Sequence, residues 1–381
     1  MPWKETAPMQ ERAKLVALYL DGRFTMTELC QHFGVSRRTG YKWAARFEEA
    51  GPEGLKDQSR APHRCPHRTG EQTQELLLAA KRARPSWGPK KLLAYLRARH
   101  PDVALPAPST AGALFARQGL TKRKRRRGWP HPGATPLQAE EPNRVWCADF
   151  KGQFKTGDGL YCFPLTVSDA CSRYLLAVDA YLSTQTSGAR ATFERLFREC
   201  GLPAAMRTDN GAPFATTGLR GLSRLSVWWM RLGIAHQRIE PGKPQQNGRH
   251  ERMHKTLKEE ATKPGQKDRA AQQERFDAFR AEFNGERPHE ALGQRTPASL
   301  YAPSPRPFPA RLPEPEYPSH FVVRLVSGAG TFRLKGWQKH IGEALAGEYI
   351  GLEEMDEGLW GIYFCDTALA RFDEKDGTVR G

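Results

Sequence analysis

Three stretches rich in proline or arginine interrupt the chain, and their composition disfavours regular helices and sheets. They cover residues 59–68, 121–143 and 302–319, and the third has seven prolines in eighteen residues. Proline-rich sequence of this kind is extended and stiff, which predicts spacers between domains. The chain of 381 residues is therefore predicted to be multidomain. The predicted domains are residues 1–58, 69–127, 140–301 and 320–376.

Basic residues are concentrated in the first third of the chain. The sequence has 59 Lys and Arg against 42 Asp and Glu, a formal net charge of +17. Residues 1–130 contain 26 of the basic and 11 of the acidic residues, so almost the whole excess lies there. A basic excess of this size predicts a polyanionic partner, with nucleic acid favoured over a membrane surface.

Cysteine usage indicates a reducing compartment. The seven cysteines are scattered and form no C-x-x-C pair, which argues against a disulfide framework and against a zinc ribbon. His63, Cys65 and His67 lack a second pair of ligands, so we favour a solvated linker over a zinc site. No signal peptide and no apolar run of about 20 residues is visible. We expect a soluble intracellular protein without membrane contact.

The first domain has the pattern of a helix-turn-helix. Residues 27–46 form two amphipathic segments separated by Gly34, which can adopt a positive φ, and Ser36, which can cap the second helix. The start of that second helix carries side chains suited to phosphates and base edges in a major groove. These candidate DNA-binding residues are Arg37, Arg38, Thr39, Tyr41 and Lys42. The alternative is a helix pair with a merely solvated basic face.

The second domain repeats the helical pattern and ends in six consecutive basic residues. Such a run cannot pack in a core, and it predicts a flexible arm that follows DNA phosphates. The arm consists of Lys122, Arg123, Lys124, Arg125, Arg126 and Arg127. A targeting or solubilising tract is the alternative.

The third domain changes from helical to mixed periodicity. Five strand-like runs start near residues 145, 161, 174, 205 and 234, and helical segments follow the third, fourth and fifth runs. This order predicts an α/β domain with a mixed five-stranded sheet.

Three acids lie at the ends of these elements. Asp149 is on the first strand, Asp209 ends a later strand before Asn210 and Gly211, and Glu251 is in the first turn of a helix. Three carboxylates in one cleft would suit Mg²⁺ or Mn²⁺. Each acid also has an ordinary explanation, because Asp209 can start a turn and Glu251 favours a helix N-terminus. Spacing alone leaves the two explanations equally open.

The sequences around these acids resemble the integrase catalytic core of bacterial insertion-sequence transposases and retroviral integrases. The matching motifs are WCADFKG at Asp149, RTDNGAPF at Asp209 and PGKPQQNGRHERMHKTLK at Glu251, followed by FNGERPHEALGQRTPASLY. The resemblance covers roughly residues 140–300 and implies a ribonuclease-H-like fold with a catalytic Asp-Asp-Glu triad. It assigns Asp149, Asp209 and Glu251 as ligands of Mg²⁺ or Mn²⁺, with two ions expected. Glu259 and Glu260 lie outside the N-G-x-x-E pattern and are not assigned.

Residues around the triad have supporting assignments. His254, Lys255 and Lys258 follow Glu251 by three, four and seven residues, which predicts one shared helix face. Lys255 and Lys258 are candidate phosphate contacts, the latter by resemblance. A supporting role is predicted for Asn210, Gly211, Asn247, Gly248 and His254. Asp169 and Asp179 are interpreted as structural or solvated.

The fourth domain consists of short strand-like runs separated by Gly- and Asp-rich turns, which predicts a small all-β barrel or sandwich. Residues 321–380 contain ten acidic and seven basic residues. A protein–protein or architectural role is therefore at least as well supported as DNA binding.

The resemblance implies a transposase that binds terminal inverted repeats, cleaves DNA 3′ ends and transfers them to target DNA. Because two DNA ends must meet, we expect a homodimer or higher oligomer on double-stranded DNA, cytoplasmic and associated with the nucleoid. The alternatives are a DNA-binding regulator with an inactive core and a metal-dependent nuclease without strand transfer.

Overall fold

The computed structural model describes residues 8–58, 69–121, 140–150, 152–216, 218–239 and 248–380. The chain divides into two compact units, Met1–Arg68 and Thr69–Gly381. Among the described helices, none is both long enough and apolar enough to cross a bilayer.

The first unit is a small helical bundle. Its helices are α1 (Pro8–Leu20), α2 (Met26–His32) and α3 (Arg37–Ala50), followed by a 3₁₀ turn at Gly51–Leu55. Leu15, Val16, Met26, Trp43 and Leu55 form its buried core.

The turn between α2 and α3 confirms the helix-turn-helix prediction. Gly34 has φ +66°, and the Ser36 hydroxyl accepts a hydrogen bond from the Thr39 backbone N–H at 3.2 Å, which caps α3. At Gly40 a Cβ atom would lie 2.5 Å from Met26 Sδ and 2.7 Å from Cys30 Sγ. The glycine therefore allows α2 and α3 to approach closely.

The second unit begins with three helices, α4 (Glu71–Ala83), α5 (Pro89–Arg99) and α6 (Pro108–Arg117). They enclose a core that includes Trp87, Leu92 and Phe115. Ion pairs connect this helical domain to the rest of the unit: Lys90 Nζ lies 2.9 Å from Glu290 Oε1, and Arg99 lies 3.3 Å from Glu286.

A mixed six-stranded sheet forms the centre of the second unit. Its strands are β1 (Val145–Phe150), β2 (Phe154–Lys155), β3 (Tyr161–Asp169), β4 (Leu175–Tyr181), β5 (Ala205–Thr208) and β6 (Ala235–Arg238). β3 pairs antiparallel with β1, β2 and β4, whereas β1, β5 and β6 run parallel. The five predicted strands are present. The predicted number is wrong by one, because the two residues of β2 are too short to give a periodic signal.

Helices cover both faces of this sheet. They are α7 (Thr186–Cys200), α8 (Arg224–Arg231), α9 (Gly248–Ala261) and α10 (Arg269–Gly285). α7 and α8 pack on one face around Trp146, Phe193 and Trp229, and α9 and α10 pack on the other around Leu257 and Phe276. Each fully buried aromatic side chain stabilises this sandwich by about 1.5–3 kcal/mol.

Residues 302–319 form neither helix nor strand, as their prolines predict, but they do not form a free spacer. The Ser304 N–H donates to the Cys200 carbonyl, and the Leu202 N–H donates to the Arg306 carbonyl, both at 2.7 Å. The Arg306 guanidinium donates to the carbonyls of Pro203, Leu232 and Gly233 at 2.8–3.0 Å. The segment is thus docked along the sheet domain, because an extended backbone leaves its polar groups available to a neighbouring surface.

The C-terminal part is rich in strands, as predicted. It contains β7 (Val322–Leu325), β8 (Thr331–Leu334), β9 (Trp337–His340), β10 (Tyr349–Asp356), β11 (Leu359–Phe364), β12 (Thr367–Asp373) and β13 (Thr378–Arg380). The order β13-β12-β11-β10-β7 is open, and β8 with β9 forms a separate hairpin. The described strands therefore do not close into the predicted barrel. Closure depends on which edge strands pair, and alternation along single strands carries no signal for that.

This C-terminal sheet packs directly on α8. Val227 is buried together with Phe332 and Ile362, and Arg231 forms an ion pair with Glu348 at 3.2 Å. Both contacts join the strands to the domain that contains the three acids.

We predict that Arg306→Ala lowers the free energy of unfolding by about 1–3 kcal/mol, because it removes charged hydrogen bonds and leaves the partly buried carbonyls of Pro203 and Leu232 unpaired. Urea denaturation of the full chain measures the loss, and limited proteolysis should show faster cleavage within residues 302–319.

The matched control is Arg311→Ala, since Arg311 is exposed in the same segment. Equal stability of the two variants would contradict the docked arrangement of residues 302–319.

Candidate active site

The parallel pairing of β1 with β5 brings two of the predicted acids to neighbouring strand ends. Ala148 pairs with Thr208, so Asp149 and Asp209 occupy the next position on each strand path. Adjacent strands are about 4.8 Å apart, and polar groups at carboxyl ends of parallel strands face the open edge of a sheet.

Asp209 is a half-buried carboxylate with incomplete hydrogen bonding. Its Oδ1 atom is buried and has no hydrogen-bond partner in the described part of the chain. Burial raises the pKa of Asp209, and a hydrogen bond from the Gly211 backbone partly opposes the shift. A Cβ atom at Gly211 would lie 3.1 Å from Asp209 Oδ2, so the glycine leaves room beside the carboxylate.

The turn after β5 is hydrogen-bonded to the residue that follows β6. Asn210 Nδ2 donates to the Ile239 carbonyl at 2.9 Å, and the Gly211 carbonyl accepts from the Phe214 N–H at 3.0 Å. These bonds hold the turn that contains Asn210 and Gly211 next to Asp209. Gly248 begins α9, and Asn247 lies outside the described residues.

Helix α9 separates residues that the sequence placed on one face. Glu251, Lys255 and Lys258 are exposed, whereas His254 is only 6% exposed and faces the sheet. His254, three residues after Glu251, therefore lies at the buried edge of the predicted face and is not a surface charge. On a helix His254 lies about 60° to one side of Glu251 and Lys255 about 40° to the other. The His254 side is buried against the sheet, whereas Glu251 and Lys255 are exposed to solvent.

Thr166, which pairs with Asp149 across β1 and β3, links Asp149 to two histidines of α9. Its hydroxyl oxygen lies 3.0 Å from the Asp149 carbonyl and 2.7 Å from Nε2 of both His250 and His254. A hydroxyl has one proton and a carbonyl only accepts, so Thr166 donates to Asp149 and both imidazoles donate from Nε2. The Ser168 hydroxyl, 2.9 Å from His250 Nδ1, then donates to that ring.

A similar arrangement stands beside Asp209. The Thr208 hydroxyl donates to the Asp209 carbonyl at 2.9 Å and lies 2.9 Å from His236 Nε2. At each of the two strand-end acids, a threonine hydroxyl thus donates to the backbone carbonyl of the acid and accepts from an imidazole. The sequence analysis did not identify Thr166, Thr208, His236 or His250. The spacing of His250 and His254, one helical turn apart, was the one signal for the pair.

One group of three potential metal ligands occurs within the described ranges. It consists of Asp149, His250 and His254, whose ligand atoms lie within 4.8 Å of one another. Asp149, Asp209 and Glu251 do not form a group this compact among those residues. Three carboxylates repel one another unless a cation lies between them.

The DNA-binding residues predicted on α3 are mostly exposed. Arg37, Arg38, Tyr41 and Lys42 are open to solvent, while the Thr39 hydroxyl lies 2.9 Å from the Ser36 hydroxyl and takes part in the cap. The basic arm, residues 122–127, lies outside the described residues, as do His63, Cys65 and His67.

Two further acids of the sheet domain are structural, as predicted. Asp169 accepts hydrogen bonds from the Asn143 and Ser172 backbone N–H groups at 2.8 and 2.7 Å. Asp179 forms an ion pair with Arg195 at 2.9 Å.

We predict that the protein loses stability as the pH falls from about 6.5 towards 4. Burial lowers the pKa of His250 and His289 to about 3 and that of His236 to about 4, whereas an unfolded histidine titrates near 6.5. The unfolded chain therefore binds protons that the folded chain does not. Each imidazole contributes up to about 1.4 kcal/mol per pH unit. Urea denaturation at several pH values measures the slope, and His236→Gln should make it shallower; a flat profile would contradict the neutral buried rings.

Matches to known sequence families cover most of the chain. Residues 139–244 and 232–297 match two families described as integrase core domain. Residues 11–63 match a helix-turn-helix domain and residues 39–115 a homeodomain-like domain. Residues 321–380 match the C-terminal domain of IS481 family transposases.

Two curated proteins of bacterial insertion elements are similar to this chain. An uncharacterized 31.7 kDa protein of insertion element IS407 from Burkholderia multivorans is 30% identical over 200 residues, which cover 50% of this chain and 67% of the relative. An uncharacterized 39.2 kDa protein of insertion element IS476 from Xanthomonas euvesicatoria is 30% identical over 197 residues, which cover 50% of this chain and 54% of the relative. The chain thus spans about half the length of the second relative.

Solved structures show only a weak likeness. The HTLV-2 integrase catalytic core domain in complex with magnesium has a TM-score of 0.34 and 16% identity, covering 44% of this chain and 100% of that chain. A TM-score this low does not support a structural relationship. The sequence relationships are sufficient: with its helix-turn-helix, integrase core and transposase C-terminal matches, and with an insertion-element relative of which it covers two thirds, this chain belongs to the insertion-sequence transposases with an integrase core, which are DDE-type polynucleotidyl transferases.

Proposed function

We propose that this chain binds the terminal inverted repeats of an insertion sequence, cleaves the DNA 3′ ends and transfers them to target DNA. The observation that carries the proposal is the placement of Asp149 and Asp209 at neighbouring ends of parallel strands. Helix α9, with Glu251 in its first turn, supplies the third acid. Nothing in DNA binding alone requires three acids of this kind.

Asp149, Asp209 and Glu251 are the proposed ligands of Mg²⁺ or Mn²⁺, with two ions per site. These residues fit divalent cations. The buried Oδ1 atom of Asp209 lacks a hydrogen-bond partner among the described residues, and hard oxygen donors suit Mg²⁺ and Mn²⁺. When bound, the ions would activate the attacking hydroxyl and stabilise the leaving oxygen.

The remaining groups of the site position the acids and the DNA. Thr166 and Thr208 hold the backbone at Asp149 and Asp209 through their hydroxyls. Lys255 and Lys258 are exposed on the same helix as Glu251, where their ammonium groups can contact phosphates of the bound DNA end.

End recognition is assigned to the first unit. The exposed residues Arg37, Arg38, Tyr41 and Lys42 lie at the start of α3, which is the part of a recognition helix that enters the major groove. The basic arm Lys122–Arg127 is proposed to follow the phosphate backbone, because six adjacent cations give strong, sequence-independent attraction.

Strand transfer requires two transposon ends in one complex. The proposed partners are therefore double-stranded DNA of the ends and of the target, together with at least a second copy of this chain. An enzyme of this kind would act on nucleoid DNA in the cytoplasm.

We predict that Asp149→Asn, Asp209→Asn and Glu251→Gln each lower strand transfer at least about a thousandfold, because removing a group that acts with others abolishes most of the chemistry. The assay joins labelled terminal-repeat oligonucleotides to plasmid DNA in Mg²⁺ or Mn²⁺. Binding of the oligonucleotide should be retained.

Glu259→Gln, an exposed acid on the same helix, is the matched control and should keep full activity. Strand-transfer activity in Asp209→Asn would contradict the assignment of the triad. Cleavage without joining would identify a nuclease, and DNA binding without any chemistry would identify a regulator.

We predict that Arg38→Ala weakens binding to terminal-repeat DNA by about 1–3 kcal/mol, and binding to random DNA by less, because a base-edge contact is lost. Fluorescence anisotropy at fixed salt measures both affinities. Arg23→Ala, exposed before α2, is the control; equal losses on the two DNAs would reassign Arg38 to a phosphate contact.

A further inference from the structure

A cavity with mainly basic walls lies between helix α5 and the sheet domain. It has a volume of about 140 Å³ and is lined by residues of α5, β5 and α9 and by residues that follow α10. Its basic side chains include Lys91, Arg207, Arg252 and Arg287. One water occupies roughly 30 Å³, so the cavity has room for a group of several atoms.

Arg207 is a buried cation without a carboxylate partner. It is only 6% exposed, and its guanidinium donates a hydrogen bond to Gln237 Oε1 at 3.1 Å. It forms no ion pair with any residue that the structure describes. Arginine is almost never fully buried unless it is paired with an anion. The fold therefore leaves the anion for Arg207 to be supplied by a ligand.

Two further cations of the cavity are also unpaired within the described part of the chain. The side chains of Lys91 on α5 and Arg252 on α9 form no hydrogen bond or ion pair there. Burial lowers the pKa of Lys91 to about 8, and the charges of Arg287 and Arg252 act in the same direction. An anion between these cations would offset both the burial and the repulsion.

The acids of the lining are already engaged. The cavity has five lysine and arginine side chains and two carboxylates. Asp169 accepts hydrogen bonds from backbone N–H groups, and Glu290 forms an ion pair with Lys90. His289 adds a buried Nε2 atom without a hydrogen-bond partner among the described residues. Buried polar atoms of this kind usually contact a ligand or an ordered water.

The cavity lies on the same face of the sheet as two acids of the proposed triad. Cys147 and Arg207 line it and pair with each other across β1 and β5. They precede Asp149 and Asp209 by two residues, and side chains two residues apart on a strand point to the same face. The backbone of Arg207 is about 7 Å from that of Asp209. An anion in the cavity is therefore near the DNA that the acids would cleave.

We propose that this cavity binds one phosphate group of the DNA strand and so holds α5 and the sheet domain on the same transposon end. The inference rests on the proposed function, which supplies DNA as the ligand. A phosphate diester carries a permanent negative charge, and its oxygens accept hydrogen bonds from guanidinium and ammonium groups. A phosphate here would contact α5, β5 and α9 together, which links the helical domain to the domain that contains the acids.

The direct test replaces each phosphate of one terminal-repeat strand in turn with an uncharged methylphosphonate. Binding of the full chain is measured by fluorescence anisotropy at fixed salt. At one backbone position the replacement should weaken wild-type binding about tenfold, and it should weaken binding by Arg207→Gln or Arg252→Gln less than about threefold. Lys91→Gln should lower the slope of log affinity against log salt by about one.

Arg198→Gln is the matched control, since Arg198 is exposed on α7, which packs on the opposite face of the sheet. This variant should keep the full tenfold response and the wild-type salt slope.

Inorganic phosphate tests the other source of the same chemistry. The melting temperature of the protein without DNA is compared in phosphate and in chloride at equal ionic strength. Phosphate should stabilise the wild type and leave Arg207→Gln unchanged. If it does so, but no backbone position of the DNA depends on Arg207 or Arg252, the cavity binds free phosphate and the proposed DNA contact is overturned.

Arg252 is exposed, so Arg252→Gln keeps the test decisive if Arg207→Gln fails to fold. The inference is overturned if every backbone position responds alike in the wild type and in the folded cavity variants. If the wild type then still joins terminal-repeat DNA to plasmid, the proposed function stands and only the role of the cavity fails. A wild type that binds no terminal-repeat DNA would contradict the proposed function itself.

Discussion

β1 and β5 lie side by side in parallel, with Ala148 opposite Thr208, and the site depends on this pairing. It carries Asp149 and Asp209, which are 60 positions apart in the sequence, to adjacent strand ends. The sheet can hold two carboxylates there because aromatic side chains such as Trp146 and Trp229 anchor it on the opposite face. A shift of one residue in this register would move an acid to the other face.

Two buried imidazoles beside the acids are polar but uncharged. His250 and His236 have pKa values lowered by burial to about 3 and 4, so their rings are neutral and act as hydrogen-bond donors to Thr166 and Thr208. Burial also raises the pKa of Asp209. A half-buried carboxylate of this kind is stabilised by a cation, while the net basic excess of the chain lies within residues 1–130. This separates attraction of DNA from the chemistry proposed for the acids.

Local patterns predicted some elements well and others not at all. The strand at Val145–Phe150 and the Ser36 cap were correctly predicted, because alternation and capping are local properties. Helix α10 was missed, although Phe276 is completely buried in it, since its sequence also carries many charged residues. The segment 302–319 was correctly predicted to lack helix and strand, but its docking depends on carbonyls that belong to distant parts of the chain.

The sequence by itself determined the order of the acids, the helix-turn-helix and the alternation of strands and helices that makes an α/β domain. These features depend on residue type and short-range spacing. Only the tertiary structure decided the rotation of α9, which turns His254 towards Asp149 and Thr166 while Glu251 and Lys255 remain exposed. Helical spacing places these residues within an arc of about 100°. Packing of α9 against the sheet decides which residues in that arc are buried and which are exposed to solvent.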